Sequence, residues 1–154
     1  MDRRESLGIL GTTIVGLVAG SSGRAETAAG QSGHNDQAHE ECLKACNSCA
    51  DECAETFHHC VREVASDKQE HAAALRLVAD CESFCRLSAS MIARMSAFMA
   101  YSCAACADAC RDCARECGKF DASTMKDCAK ACRACEASCR TTVKAMGGHD
   151  RADH

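Results

Sequence analysis

The chain has 154 residues, a formal net charge of -4 and 16 Cys residues. Trp and Pro are absent and aromatic residues make up 3% of the sequence, which excludes an ordinary core of Leu, Ile and Phe and places sulfur in much of the interior. The length suits a single domain. Slight acidity without any block of Lys or Arg argues against nucleic acid or an anionic membrane as a partner, because both attract clustered positive charge.

The first 25 residues have the layout of an export signal. Arg3 and Arg4 precede an uncharged, mildly apolar stretch of about 13 residues, which is too short to span a membrane core of about 30 Å. The Arg pair is typical of a twin-arginine leader, and the general secretory route is the alternative. We predict cleavage after Ala25, or alternatively after Ala29, and export to the periplasm with no membrane attachment afterwards. An uncleaved, disordered N-terminus is the remaining alternative.

The rest of the chain divides into an arm, a helical region and a tail. Residues 26–35 are small and polar without periodicity, and we expect a flexible arm. Residues 36–147 lack Pro, are rich in Ala, Glu, Lys and Arg, and show no alternation of period two, which favours helices over strands. Residues 148–154 are predicted to form a disordered tail.

Capping and turn signals divide the helical region into four helices. Asp67 followed by Glu70 resembles a capping box, with Ser66 as the alternative cap, and Gly118 separates the third helix from the fourth. No Gly marks the turn between the second and third helices, which we place near residues 96–99. The predicted fold is therefore all-α, an antiparallel four-helix bundle with short connections.

The cysteines recur at intervals of three, four or seven residues within each predicted helix, so each set lies along one helix face. They are Cys42, Cys46, Cys49, Cys53 and Cys60 on the first helix, Cys81 and Cys85 on the second, Cys103, Cys106, Cys110, Cys113 and Cys117 on the third, and Cys128, Cys132, Cys135 and Cys139 on the fourth. In a bundle these stripes face inward. The same spacing places Val78, Ser88, Ile92 and Met95 inward on the second helix.

This density of inward thiols points to binding of soft metal ions. Two thiols three or four residues apart have Cβ atoms about 5–6 Å apart on the same face, so both can bind one ion. Thiolates select Cu(I) over hard cations, and Cu(I) accepts two or three ligands, whereas structural zinc takes a tetrahedral set of four. Thiols spread over some 35 Å of bundle, at about 1.5 Å per residue, suit a row of Cu(I) ions.

The motif Cys-x3-Cys-x2-Cys-x3-Cys occurs three times, starting at Cys42, Cys106 and Cys128. With this repeated motif the chain resembles the copper storage protein family. The resemblance covers roughly residues 36–146 and includes an exportable leader. It implies a four-helix bundle that stores many Cu(I) ions, bound mostly by pairs of Cys on one helix, with all sixteen Cys as ligands. Unshared pairs would hold about 8 ions, and thiolates that each bridge two ions would hold about 16. The copper donor and recipient are not identified by sequence.

One end of the bundle has the composition expected of an entrance for copper. Antiparallel helices bring the starts of the first and third helices beside the ends of the second and fourth. The candidate entry ligands there are His39, Met91, Met95, Met99 and Met146. Thioether and imidazole bind Cu(I) more weakly than thiolate and could pass ions inward, although these Met side chains are equally consistent with an apolar plug. We expect Phe57, Phe120 and Met125 to close the opposite end, with His71 nearby.

Three other classes of function are alternatives to copper storage. Zinc or cadmium sequestration in the manner of a metallothionein uses the same residues, and metal preference alone separates it from copper storage. An exported protein with an even number of Cys is also consistent with a disulfide-stapled helical bundle, although bridges within a helix would be strained. An enzyme is not expected, because the sequence lacks a Gly-rich phosphate loop, an inward carboxylate pair and a Cys set apart by a catalytic His. Leu43, Phe84 and Phe98 lie off the stripes and are candidates for a homo-oligomer contact.

Overall fold

The computed structural model of the chain describes residues 26–147, and from residue 36 onward it also describes the side chains. The predicted leader at 1–25 and the predicted tail at 148–154 lie outside the described residues.

The described residues form four α-helices and one short 3-10 turn. The helices are α1 (Glu26–Ala65), α2 (Ala72–Ala93), α3 (Met99–Cys117) and α4 (Ser123–Ala145), and the 3-10 turn is Gln69–His71, between α1 and α2. From 26 to 147 no residue is in a strand. The all-α prediction is confirmed.

The predicted flexible arm is wrong, because α1 begins at Glu26 and includes residues 26–35. Gly30 and Gly33 each disfavour a helix by about 1 kcal/mol relative to Ala, but no Pro interrupts the stretch and Ala and Gln favour helix. The two Gly residues were given too much weight against an otherwise continuous helical sequence.

The predicted capping box before α2 does not form. The Ser66 hydroxyl instead donates to the Arg62 carbonyl, at 2.9 Å, and continues the end of α1. Asp67 adopts a left-handed conformation with φ of 66°, so the chain reverses there. The helix α2 starts later, at Ala72, and its N-cap His71 makes no side-chain capping hydrogen bond. The other predicted turns are close to the observed ones at 94–98 and 118–122.

The four helices pack in a square, with α1 against α2, α2 against α3, α3 against α4 and α4 against α1. The core runs along the axis of the square and consists of the Cys stripes with small Ala residues between them. Its largest fully buried apolar side chains are Met99, Met125 and Val78. Sulfur therefore fills the volume that Leu, Ile and Phe occupy in other bundles.

Polar side chains fix the position of α1 against α4 at both ends of their contact. Thr56 Oγ1 donates to the Thr124 carbonyl and Thr142 Oγ1 donates to the Ala38 carbonyl, each at 3.4 Å. Both Thr residues are fully buried. The outer faces are charged, and none of the described helices is long and apolar enough to span a membrane.

Candidate metal-binding core

All sixteen cysteines are fully buried and all are free thiols. The stripes predicted from the spacing therefore lie inside the bundle, with Val78, Ser88 and Ile92 beside them on α2 as expected. Met95 is the exception. The helix α2 ends at Ala93, and Met95 lies in the following turn with φ of 51° and 60% of its surface exposed. The helical spacing that predicted an inward Met95 no longer applies there.

The thiols converge in five groups. Within each group, every sulfur atom lies within 4.8 Å of every other. From one end to the other the groups are Cys42, Cys103 and Cys139; Cys46, Cys106, Cys135 and Cys139; Cys49, Cys85, Cys110 and Cys135; Cys49, Cys53, Cys81 and Cys132; and Cys53, Cys113, Cys128 and Cys132. Each group shares at least one thiol with the next. The core is thus one continuous chain of overlapping thiol groups.

The shortest sulfur contacts cross from one helix to another. The Cys42–Cys139 and Cys49–Cys132 sulfurs are 3.6 Å apart, as are those of Cys81 and Cys110. Pairs on one helix are slightly longer, at 3.9 Å for Cys106 and Cys110, for Cys113 and Cys117 and for Cys128 and Cys132. Sequence spacing predicted the pairs on one helix, but the closer contacts depend on the register between helices, which spacing does not contain.

Neighbouring thiols shift one another's pKa in opposite directions. Hydrogen bonding with Cys110, and next with Cys132, lowers the pKa of Cys49 far below its ordinary value. Hydrogen bonding with Cys106 raises the pKa of Cys110 far above it. A thiolate that accepts S–H bonds is stabilised, and its charge then opposes ionisation of the donors beside it. The metal-free core therefore retains protons, which bound cations would displace.

The end of the core near the start of α3 and the end of α4 is formed by Cys42, Cys103 and Cys139, with His39 one helical turn before Cys42. His39 is only 8% exposed, and neither ring nitrogen has a hydrogen-bond partner. Met99 is 2% exposed and lies one turn before Cys103 on α3. The structure therefore brings these two predicted entry ligands to the end of the thiol chain.

The other predicted entry ligands are placed less favourably. Met91 is partly buried against the core. The Arg94 guanidinium donates to its sulfur at 2.9 Å, so a positively charged group already lies beside that thioether. Met95 and Met146 are exposed, at 60% and 41%. Both follow the last residue of a helix, Ala93 in α2 and Ala145 in α4, which explains why helical spacing does not bury them.

The opposite end contains Cys60 and the fully buried Met125, whose sulfur atoms are 3.8 Å apart. Cys60 belongs to none of the thiol groups, and burial, with smaller effects from Cys128 and Cys113, raises its pKa to about 11. Phe120 packs against the core, whereas Phe57 is 40% exposed and does not close the end as predicted. Phe57 follows the buried Thr56 by one residue, about 100° around α1, and so points away from the axis.

Two features of this end were not predicted from the sequence. Thr56 occupies the position between Cys53 and Cys60 that completes the spacing of three and four, so the gap of seven was a signal for a buried residue. The second feature is a histidine pair. The His59 and His71 rings meet edge to face with centroids 5.8 Å apart, and His71 stacks on Phe120 at 4.3 Å. Nothing in the sequence spacing relates His71, in the 3-10 turn, to α1.

The comparisons with known proteins agree with this architecture. The family model described as copper storage protein matches residues 35–144. A Cu(I)-bound copper storage protein, BsCsp3, is 36% identical over 68% of this chain and 97% of its own, with a TM-score of 0.65. The apo form of copper storage protein 3 from Bacillus subtilis is 35% identical over 67% and 96%, with a TM-score of 0.61.

A more distant structure extends the comparison. It shows copper loading, with five coppers, to a cytosolic copper storage protein from Streptomyces lividans, which is 25% identical over 77% of this chain and 99% of its own, with a TM-score of 0.66. No curated protein matches the chain.

Proposed function

This chain belongs to the copper storage protein family, and on that premise we propose that it stores many Cu(I) ions on the thiolates of its core. The observation that supports this most directly is the continuous chain of overlapping thiol groups along the bundle axis. Every thiol except Cys60 and Cys117 belongs to a group, and Cys117 lies 3.9 Å from both Cys113 and Cys128. The protein binds and buffers its metal and catalyses no reaction on it.

The low coordination number of Cu(I) suits this core of shared thiols better than the tetrahedral set of zinc. A tetrahedral zinc site uses four ligands for one ion, but Cys49, Cys53, Cys132, Cys135 and Cys139 each belong to two groups. A soft d10 ion that accepts two or three sulfurs can use such bridging thiolates efficiently. We expect a capacity in the upper half of the range from about 8 to about 16 ions.

Copper enters, in this proposal, at the end that holds His39 and Met99. Two unpartnered ring nitrogens on a buried imidazole are costly without a ligand, and a Cu(I) ion in transit would satisfy one of them. The imidazole and the Met99 thioether bind more weakly than the three thiols beyond them, so ions would pass inward. We further propose, from the leader sequence, that the protein is exported to the periplasm.

The test is an anaerobic titration of the reduced protein with Cu(I), in competition with a high-affinity chelator and accompanied by a thiol count. We expect tight uptake of about 8 to 16 ions with parallel loss of reactive thiols. A second titration in the presence of excess zinc or cadmium distinguishes a copper store from a general metal store, since Cu(I) should displace both. Uptake of one or two ions, together with a thiol count showing that most thiols of the native protein are oxidised before reduction, would instead identify a disulfide-stapled bundle.

A further inference from the structure

The Cys60 end of the core has a different chemistry from the rest. Fifteen of the sixteen thiols, all but Cys60, lie within 4.8 Å of another thiol in a group or contact one at 3.9 Å. The sulfur nearest Cys60 is the Met125 thioether, at 3.8 Å, and both side chains are fully buried. The stripe of thiols on α1 thus extends one step beyond Cys128, the first Cys of α4, and meets the thioether of Met125 there.

The separation of these two sulfurs suits a shared ion. At a metal–sulfur bond length of about 2.3 Å, as in zinc thiolate sites, two sulfurs on one ion lie about 4.0 Å apart at 120° and about 4.6 Å apart when collinear. The observed 3.8 Å is within a few tenths of an ångström of the bent arrangement. Cu(I) accepts both thiolate and thioether ligands in two- or three-coordinate sites.

Two imidazoles at the same end supply a further, independent observation. His59 follows directly before Cys60 on α1, and its Nε2 is buried without a hydrogen-bond partner. His71 is 6% exposed and its Nδ1 is likewise without a hydrogen bond; the nearest carboxylate, Glu70, lies 4.0 Å away. Buried polar atoms in native proteins normally have partners, so an unpaired nitrogen on each ring indicates that this end accommodates a ligand.

A surface groove lies beside this end. It lies between α1 and the start of α4, has a volume of about 520 Å³, and is lined by Ala54, Glu55, His58, His59, Arg62 and Thr124. His59, which is partly buried, therefore contributes both to the groove and to the pair with His71, and Thr124 precedes Met125 in the chain. The groove is at the opposite end of the bundle from His39.

We propose that Cys60 and Met125 hold one Cu(I) ion in a separate thiolate–thioether site, which exchanges with solvent through the groove at His59. This rests on the proposed function, since it assigns one of the stored ions. On binding, the Cys60 thiol releases its proton to solvent and the Met125 sulfur donates a lone pair, without any change in the oxidation state of copper. With one thiolate rather than two or more, this site fills after the thiol groups and empties before them.

The decisive experiment detects the bond between copper and the sulfur position of Met125. Selenomethionine replaces Met in a variant with M91L, M95L, M99L and M146L, which leaves Met125 as the only labelled side chain between residues 26 and 147. Leu for Met conserves volume and is well tolerated in cores. X-ray absorption at the copper and selenium edges of the fully loaded protein should then show one Cu–Se contact per chain.

Adding M125L to the same variant is the matched control and should remove that contact while lowering the copper content by about one ion. C60S without M125L should also abolish the Cu–Se contact, because the thioether alone binds weakly. A fully loaded protein without a Cu–Se contact would overturn the proposal and reduce the Cys60–Met125 contact to packing. The copper content of the same samples separates this outcome from failure of the storage function, in which few ions would bind at all.

Discussion

The two ends of the thiol core differ in the side chains found there, although the Cys spacing along the helices is similar. Near the start of α3, three thiols converge and the buried His39 lies one turn beyond them. At the other end a single thiol, Cys60, meets the thioether of Met125. The stripes coincide along most of the bundle but do not end at the same level. The ligand set therefore changes at the ends, where we propose that ions enter and leave, while the middle remains uniform.

The uniform middle predicts a large stabilisation of the fold by copper. Its side chains are thiols and Ala residues, which bury less apolar area than Leu or Phe, so the metal-free core is weakly held. An ion present at 1,000 times its dissociation constant stabilises by about 4 kcal/mol. We expect the loaded protein to melt about 10–20 °C above the reduced apo protein, as measured by anaerobic calorimetry.

Magnesium is the control in this experiment, because a hard cation should leave the melting temperature unchanged. Equal melting temperatures for the apo and Cu(I)-loaded protein would contradict a core stabilised by metal.

Loss of one thiol should have unequal consequences in the middle and at the end. Cys49 belongs to two thiol groups and Cys60 to none. We expect C49S to lower the copper capacity by about two ions and C60S by no more than about one. Copper content after gel filtration, with a chelator competition for affinity, measures the difference. Equal losses would mean that the groups do not share ligands as the structure indicates.

The two proposed openings predict separable effects on exchange rates. H39L removes an imidazole beside the three-thiol group and should slow Cu(I) uptake severalfold, with the final capacity unchanged. H59L should instead slow the release of one ion to a chelator and leave the bulk of uptake unaffected. The exposed His58 lines the same groove but is not part of the His59–His71 pair, so H58L tests whether the effect is specific to His59. Stopped-flow absorbance at the thiolate–copper charge-transfer band follows both processes, and identical effects of H39L and H59L would contradict two openings.

The fold and the thiol stripes were predictable because both depend on local spacing. Intervals of three and four place Cys46 or Cys110 on an inward face whatever lies opposite, and the structure buries both. The membership of the thiol groups was not predictable, because it depends on how α1 is registered against α4. Thr56 and Thr142, which donate across that contact, help to set the register, and sequence analysis did not identify them.

The ends of the helices account for most of the wrong predictions. Met95 was placed inward by extending a helical period beyond Ala93, the last residue of α2. Residues 26–35 were assigned to an arm because two Gly residues were given more weight than the continuous absence of Pro. In both cases the error concerns where a helix begins or ends, which depends on small differences in backbone free energy rather than on the strong periodicity of the stripe.

Ser88 provides the smallest and most local test of the comparison between middle and ends. It follows Cys81 and Cys85 at the position of the third Cys in the repeated motif, with Ile92 at the fourth. Its hydroxyl is fully buried and has no hydrogen-bond partner. An unsatisfied buried hydroxyl costs about 1–3 kcal/mol, so S88A should raise the free energy of unfolding of the reduced apo protein by about 1 kcal/mol in urea denaturation.

The matched control is S83A, one turn away on the exposed face of α2, where the hydroxyl donates to the Ala79 carbonyl at 3.0 Å. Surface substitutions of this kind change stability by about 0.5 kcal/mol or less. S88C completes a third thiol on α2 and should raise the copper capacity by about one ion. If S88A destabilised the apo protein and S88C bound no additional copper, the α2 stripe would not continue to this end as the structure shows. The end near His39 would then be closed by apolar packing alone.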